Sequence, residues 1–326
     1  MPRNTQRRAT PPTIDELRLL GKVARLYHEH GIRQPEIAAE LSMSQARVSR
    51  LLKQAQELGI VRTVVTLPAG VHTDLEEALK SKFDLRDVVV VDTDGAGDDV
   101  LPALGGATAT YLDVTLTSQH VLGVSSWSET LLSAVRRLPV KRGSSVSRVV
   151  QLVGGLGAPA VQVQATRLTS DLADRTGAQP VFLPAPGIVD TPSVRRAMMK
   201  DRSVKEAVAA WDSLTDVLVG IGSIEPSPLL VESGNALPAD DLAQLRRLGA
   251  VGDVCFRFFD EHGALVKSEI DQRVVGISAA ELLGVPRRIG VAGGRRKQAA
   301  IRAALAGGWV NVLITDLDTA RRLTQT

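Results

Sequence analysis

The sequence predicts an α/β chain in two parts: an all-α N-terminal unit, then a larger, doubly wound, mainly parallel α/β sheet. Three observations carry this expectation. Apolar residues recur at helical spacing up to about residue 60. From Asp87 onward, continuous apolar runs of strand length alternate with helix-like stretches, the pattern of a parallel sheet covered on both faces. The charge is also divided: Met1–Thr66 holds 11 Lys/Arg against 6 Asp/Glu, and the remainder 28 against 30, within a net +3. A chain of 326 residues is long for one domain, which favours two.

Residues 1–13 read as a disordered basic arm carrying Arg3, Arg7 and Arg8. Ile14 to His30 reads as one helix, with Leu17, Leu20, Val23, Ala24 and Tyr27 at helical spacing and Gly31 closing it. Glu36 to Leu41 gives a short helix, Ser42-Met43-Ser44 a tight turn, and Ser44 an N-cap hydroxyl for the next helix. That helix, from Gln45, stacks Val48, Leu51, Leu52, Ala55 and Leu58 on one face. Gln45, Arg47, Ser49, Arg50 and Lys53 fall on the others, and Asp and Glu are absent from Leu41 to Gln56. Buried anchors under a polar, basic outer face suit a helix-turn-helix that reads the major groove of double-stranded DNA. Gly59 ends the helix, and VRTVVTL (61–67) alternates like a strand and suits a wing. Tyr27 either reaches a phosphate or packs; Gln34, before Pro35, either contacts DNA or caps. The winged helix-turn-helix thus spans 14–67, and 68–86 carries a linker helix (Asp74–Phe83) open to a dimer contact.

The part from 87 to 326 contains the strand-like runs 88–91, 120–125, 148–155, 180–187, 215–223, 250–259, 287–294 and 310–315. Helix-like stretches include 99–117, 129–138 and 295–306. Open α/β sheets bind ligands beyond the C-terminal ends of their strands, so those ends are the candidate site. They carry Ser125, Ser126, Trp127, Ser128 and Thr130 leading into a helix, then Gly154-Gly155, Gly222-Ser223, and Gly293-Gly294 with Lys297 following. Hydroxyls and backbone amides at helix starts, with glycines that let backbone approach closely, suit a small polar, phosphorylated ligand.

The single cysteine, Cys255, excludes an internal disulfide and a cysteine zinc cluster; no metal or cofactor is expected. Its apolar surroundings, GDVCFRFF, suit a buried structural thiol. No apolar run has membrane-spanning length, and MPRNTQRRATPPT lacks the apolar segment of a secretory signal, so the chain reads as cytoplasmic.

The stretches QPEIAAELSMSQARVSRLLKQAQELGIV, LGVSSWSETL, VVQLVGGLG, FLPAPGIV, VLVGIGS, GAVGDVCFRFFDEHG, RVVGIS and VAGGRRKQAAIRAALAGGWVNVLITD together resemble the SorC family of sugar-binding transcriptional regulators, related to DeoR-type regulators. The resemblance runs from about Leu17 to the end. It implies a winged helix-turn-helix followed by a domain similar to sugar-phosphate isomerases and deaminases. It also implies a homo-oligomer, dimer or tetramer, whose affinity for operator DNA responds to a sugar or sugar phosphate. Residues Ser125 to Thr130 match the family's phosphate loop and Lys297 its phosphate-binding lysine. Asp253 and Asp260 match acidic positions near the sugar hydroxyls. Three features depart from the pattern. Ser126 stands as an insertion before Trp127, Ser128 replaces a usual glycine, and Arg33 stands where a threonine commonly caps the short helix, leaving its start to Gln34-Pro35. Neither Lys141 nor Lys200 lies in a motif for Schiff-base chemistry. The rival reading is a sugar-phosphate isomerase or deaminase with a DNA-binding appendage. Such chemistry needs a positioned general base, and the sheet part offers only His120 and His262 among histidines.

Overall fold

The computed structural model describes residues 12–62, 68–93, 99–125, 128–140, 143, 145–155, 159–225 and 237–325, with the backbone alone at 159–165. The chain divides into two compact units, Met1–Thr66 and Leu67–Thr326. The basic arm up to residue 11 and the wing residues 63–67 lie outside the described residues.

The first unit is three helices, Ile14–His28, Gln34–Glu40 and Gln45–Glu57. Thr13 and Glu16 close a reciprocal capping box at the first helix, which satisfies amides that a helix start leaves unpaired. The short second helix starts differently from expectation. An arginine side chain has no acceptor, so Arg33 cannot cap; instead the Glu36 carboxylate reaches back to the Arg33 backbone amide at 3.2 Å. Val23, Ile37, Ala38, Val48 and Leu52 form one buried cluster, and Leu20, Ala24 and Ala55 a second. Leu17 and Leu58, expected to face inward, are exposed. Leu58 is the C-cap residue, where the chain turns through Gly59 at φ +70° and leaves the helical stripe.

The second unit is built on a seven-stranded parallel sheet: β1 (Asp87–Val91), β2 (Val121–Val124), β3 (Arg148–Gln151), β4 (Gln179–Val181), β5 (Asp216–Gly220), β9 (Arg287–Val291) and β10 (Val312–Asp316). Their order is β1-β10-β9-β5-β2-β3-β4. A second, antiparallel sheet holds β6 (Gly222–Ser223), β7 (Gly252–Val254) and β8 (Arg257–Phe259). The run 250–259, expected as one strand, is therefore a hairpin. Cys255 and Phe256 both adopt left-handed backbone (φ +55° and +59°), which reverses the chain between Val254 and Arg257.

Each face of the parallel sheet is buried, which is why its strands read as continuous apolar runs. On one side Leu122, Val124, Leu218, Ile289 and Ile314 pack with Leu104, Leu112, Leu131 and Leu168 from helices. On the other, Val150, Val217, Val219 and Leu313 pack with Leu79, Trp211, Ile301 and Leu323. The helix Thr73–Phe83, read from sequence as a connector, lies on this sheet. Leu79 is fully buried, and Glu76 accepts the amide of Val90 at 2.9 Å. No described helix is long and apolar enough to cross a membrane.

The strand order fixes where a ligand can enter. From β2 the chain steps outward through β3 to β4, then returns to β5 on the other side of β2 and steps out through β9 to β10. Connections thus diverge between β2 and β5, and their C-terminal ends flank the switch-point crevice.

Candidate DNA interface and effector cleft

In the first unit, Ser44 accepts the backbone amide of Arg47 at 3.3 Å and sets the start of the helix Gln45–Glu57. Val48, Leu52 and Ala55 anchor its inner face. Gln45, Arg47, Ser49, Arg50 and Lys53 are all exposed. Arg50 Nε donates to the Ala46 carbonyl (3.3 Å), and Lys53 lies 3.9 Å from Glu57. The exposed Lys53–Glu57 pair and the Arg50 carbonyl contact contribute little, so these cations remain available to a polyanion. Tyr27 is exposed and stacks edge-on against His28. Gln34 is half-buried and opens the second helix without capping it, because Glu36 does that.

In the second unit, the crevice between β2 and β5 gathers several of the residues singled out above. Ser125 is buried; its amide donates to the Leu218 carbonyl (3.1 Å), and its hydroxyl lies 3.5 Å from the Gly220 amide. Ser128 caps the helix Glu129–Arg137 by accepting the Leu131 amide at 3.3 Å. A methyl group on Gly220 would lie 3.1 Å from the Ser128 oxygen, so β5 passes directly beneath that cap. Thr130 is buried in the first turn, while Ser126 and Trp127 lie outside the described residues.

Asp253 is paired with Gly222 across β6 and β7, and a Cβ at Gly222 would stand 2.0 Å from its Oδ1. Only glycine allows the carboxylate to lie there. The other oxygen accepts the Phe256 amide at 3.0 Å, which braces the left-handed turn. Burial pushes the Asp253 carboxyl up to about 6, against the opposing pull of the Phe256 amide and the Lys297 charge. Lys297 ends the 3-10 turn Arg295–Lys297 before the helix Gln298–Ala306. Burial lowers its pKa; the Asp253 charge opposes this, the Arg296 charge adds to it, and Glu129 opposes it more weakly. Its ammonium makes no hydrogen bond or ion pair with a described residue. A half-buried cation beside a carboxylate that burial drives toward neutrality is a place where an anion gains more than it would at an open surface.

Other singled-out residues are engaged by the protein itself. The amides of Gly154 and Gly155 donate to Val275 and Ala185 (3.0 Å each), and a Cβ at Gly154 would collide with the Ala185–Pro186 backbone. The close approach these glycines permit is to neighbouring chain. The Ser223 hydroxyl donates to the Glu225 carbonyl at 2.8 Å. Asp260 accepts the amides of His262 and Ala264 (3.0 and 2.9 Å), so its carboxylate holds its own turn. Gly294, at φ +86°, donates to Asp316 Oδ2 (2.8 Å), and Gly293 leaves room for that same carboxylate. Asp316 and Thr319 were missed in the sequence. Asp316 also accepts the Thr319 amide (2.9 Å) and hydroxyl (2.7 Å), tying the end of β10 to the turn that presents Lys297. The signal was present as an Asp at a strand end followed by Thr three residues on, a helix-start pattern. Among the described residues no cluster of His, Cys, Asp and Glu could hold a metal.

A crevice at a parallel-sheet switch point, furnished with hydroxyls, a carboxylate and a lysine without an ionic partner among the described residues, is the site of a small-ligand domain joined to a helix-turn-helix unit. Comparison with known proteins agrees. The family model described as "Putative sugar-binding domain" matches residues 68–325. The chain is 32% identical over 314 residues to the sorbitol operon regulator of Klebsiella pneumoniae, covering 95% of this chain and 98% of that protein. It is 33% identical over 305 residues to the deoxyribonucleoside regulator of Bacillus subtilis (strain 168), covering 93% and 96%. The crystal structure of the full-length Klebsiella regulator SorC superposes with a TM-score of 0.72 at 31% identity, covering 95% and 99%. The chain belongs to the SorC family of sugar-binding transcriptional regulators. Its relatives are regulators, and the isomerase or deaminase reading is set aside on that ground.

Proposed function

We propose that this regulator controls genes of carbohydrate or polyol catabolism, and that its effector is a phosphorylated sugar or polyol held in the β2–β5 crevice. The half-buried ammonium of Lys297, which has no ionic partner among the described residues, carries this reading. A dianionic phosphate would complete its charge, with Ser125, Ser128 and Thr130 at the adjoining helix start supplying polar groups. Asp253 would accept a sugar hydroxyl. The relatives named for a sorbitol operon and for deoxyribonucleosides support this ligand class. On this reading 14–67 is the DNA-binding domain, 68–86 the segment leading into the sheet, and 87–326 the effector and oligomerisation domain. The working form is a homo-oligomer, dimer or tetramer, because paired half-sites on an operator call for paired readers. Effector binding shifts DNA affinity by favouring one quaternary arrangement.

Fluorescence anisotropy on DNA from the protein's own upstream region, with sugar phosphates and the matching free sugars, tests both sites. One phosphate should shift the affinity while its free sugar does not; a response to the free sugar alone would remove the phosphate from the reading. Arg47→Ala or Arg50→Ala should cost about 1–3 kcal/mol and relax base preference where the residue grips a guanine. A residue that touches phosphate alone should instead weaken all sequences alike and flatten the salt dependence.

A further inference from the structure

A cavity of about 420 Å³ lies in the sheet domain, and none of its lining residues is one placed in the β2–β5 crevice. It is bounded by the helix Pro192–Met198, by β8, and by the segment 271–280. Its polar lining among the described residues is Arg195, Arg196, Arg257, Asp271, Gln272 and Ser278.

The three arginines differ in their partners. Arg257 is buried and fully engaged: it pairs with Asp271 (2.7 Å) and donates to the carbonyls of Ile277, Asp271 and Gly276. Arg195 is half-buried and makes one bond, Nε to the Val274 carbonyl at 2.7 Å. Arg196 is exposed, and neither it nor Arg195 forms an ion pair with a described residue. Burial lowers the pKa of Arg195, and the neighbouring Arg257 charge adds to this; Asp271 and Glu281 oppose it. Asp271 is already held by Arg257, and the Glu281 carboxylate by the Ser278 amide at 2.7 Å. The lining therefore carries three guanidiniums against one carboxylate, Asp271, so a positive surplus remains even with the Glu281 charge nearby.

We infer that this cavity is a second, separate anion site, which takes a small metabolite bearing a phosphate or carboxylate group. Guanidinium forks match both oxyanions in geometry, and the volume suits a molecule of metabolite size. Arg257 directly follows the Cys255–Phe256 turn that Asp253 braces, so an occupant would bear on the hairpin that also furnishes the crevice.

The test uses the full chain carrying Lys297→Ala, which disables the lysine of the crevice, with binding measured by isothermal titration. Inorganic phosphate and succinate are the probes. One anion should bind per chain, and Arg196→Gln should weaken it severalfold. Arg196 makes no bond to a described residue, so this change leaves the fold intact. Adding Arg195→Gln should bring the loss to at least tenfold, with thermal melting to confirm folding. Preference between the probes assigns the ligand's charged group. Absence of binding in the Lys297→Ala protein, or binding indifferent to Arg196→Gln, overturns the second site. Both readouts hold whether or not the crevice itself takes a phosphate.

Discussion

At the N-terminal end of β5 and β9, Asp216 and Arg287 form a buried ion pair. Thr215 donates its hydroxyl to the same carboxylate (2.6 Å), and His120 Nδ1 lies 3.5 Å from it. At the C-terminal end of the same sheet, Lys297 has no ionic partner among the described residues. Beside it, in the β7–β8 hairpin, Asp253 is pushed toward neutrality and Cys255 and Phe256 sit in left-handed backbone. The first arrangement pairs its charges with one another, with only Arg287 Nη2 left without a hydrogen bond among the described residues, and serves the fold. The second leaves the Lys297 charge without an ionic partner among the described residues, which is what the proposed effector would complete.

The comparison can be broken most severely at the closed end. Asp216→Ala strands Arg287 in the interior and should cost about 3–5 kcal/mol, read by urea unfolding. An unchanged midpoint would mean that the pair contributes nothing there. At the open end, Lys297→Ala should behave in the opposite way. The effector's grip should fall by about 1.5–3 kcal/mol, the worth of a charged hydrogen bond, while the melting temperature holds or rises. Gly222→Ala should act on ligand and fold together, because the new methyl displaces the Asp253 carboxylate from contact with β6. About 1–2 kcal/mol of stability should be lost, as for modest overpacking, together with effector response.

The smallest effect is set by pH. Asp253 has a folded pKa of about 6, raised from an unfolded value near 4. Its contribution to stability is therefore fullest below about pH 4 and is lost as pH rises through 6. Asp253→Asn, which can still accept the Phe256 amide, should melt higher than the parent at pH 7.5, by roughly 1 kcal/mol after discounting for solvent screening. The gap should vanish near pH 4. Equal melting differences at both pH values would show that Asp253 is not strained by burial.

Much of this was legible beforehand because local periodicity reports burial. The helices of the first unit and the strands of the parallel sheet came from apolar spacing, and the helix start at Ser44 from capping chemistry; that Ser128 caps its own helix emerged only in the structure. The errors fell where that signal is ambiguous. The run 250–259 is uniformly apolar, and apolarity does not reveal that Cys255 and Phe256 reverse the chain. Glycines after strands look alike in sequence. Gly222 makes room for a carboxylate of the crevice, whereas Gly154 makes room for a neighbouring loop.

The sequence by itself determined the two-part plan, the parallel sheet, the exposed basic face of Gln45, Arg47, Ser49, Arg50 and Lys53, and the residue types at the strand ends. These depend on spacing along the chain, which side-chain alternation and helical pitch convert directly into faces. Only the tertiary structure decided which strand ends meet. β2 and β5 are neighbours although some ninety residues separate them, and that adjacency brings Ser125 against Gly220 and sets the crevice beside Asp253 and Lys297. The same folding paired Asp260, Ser223 and Gly294 with their own surroundings. Whether a polar group is left for a ligand depends on what the rest of the chain places beside it, and that is a property of packing at long range.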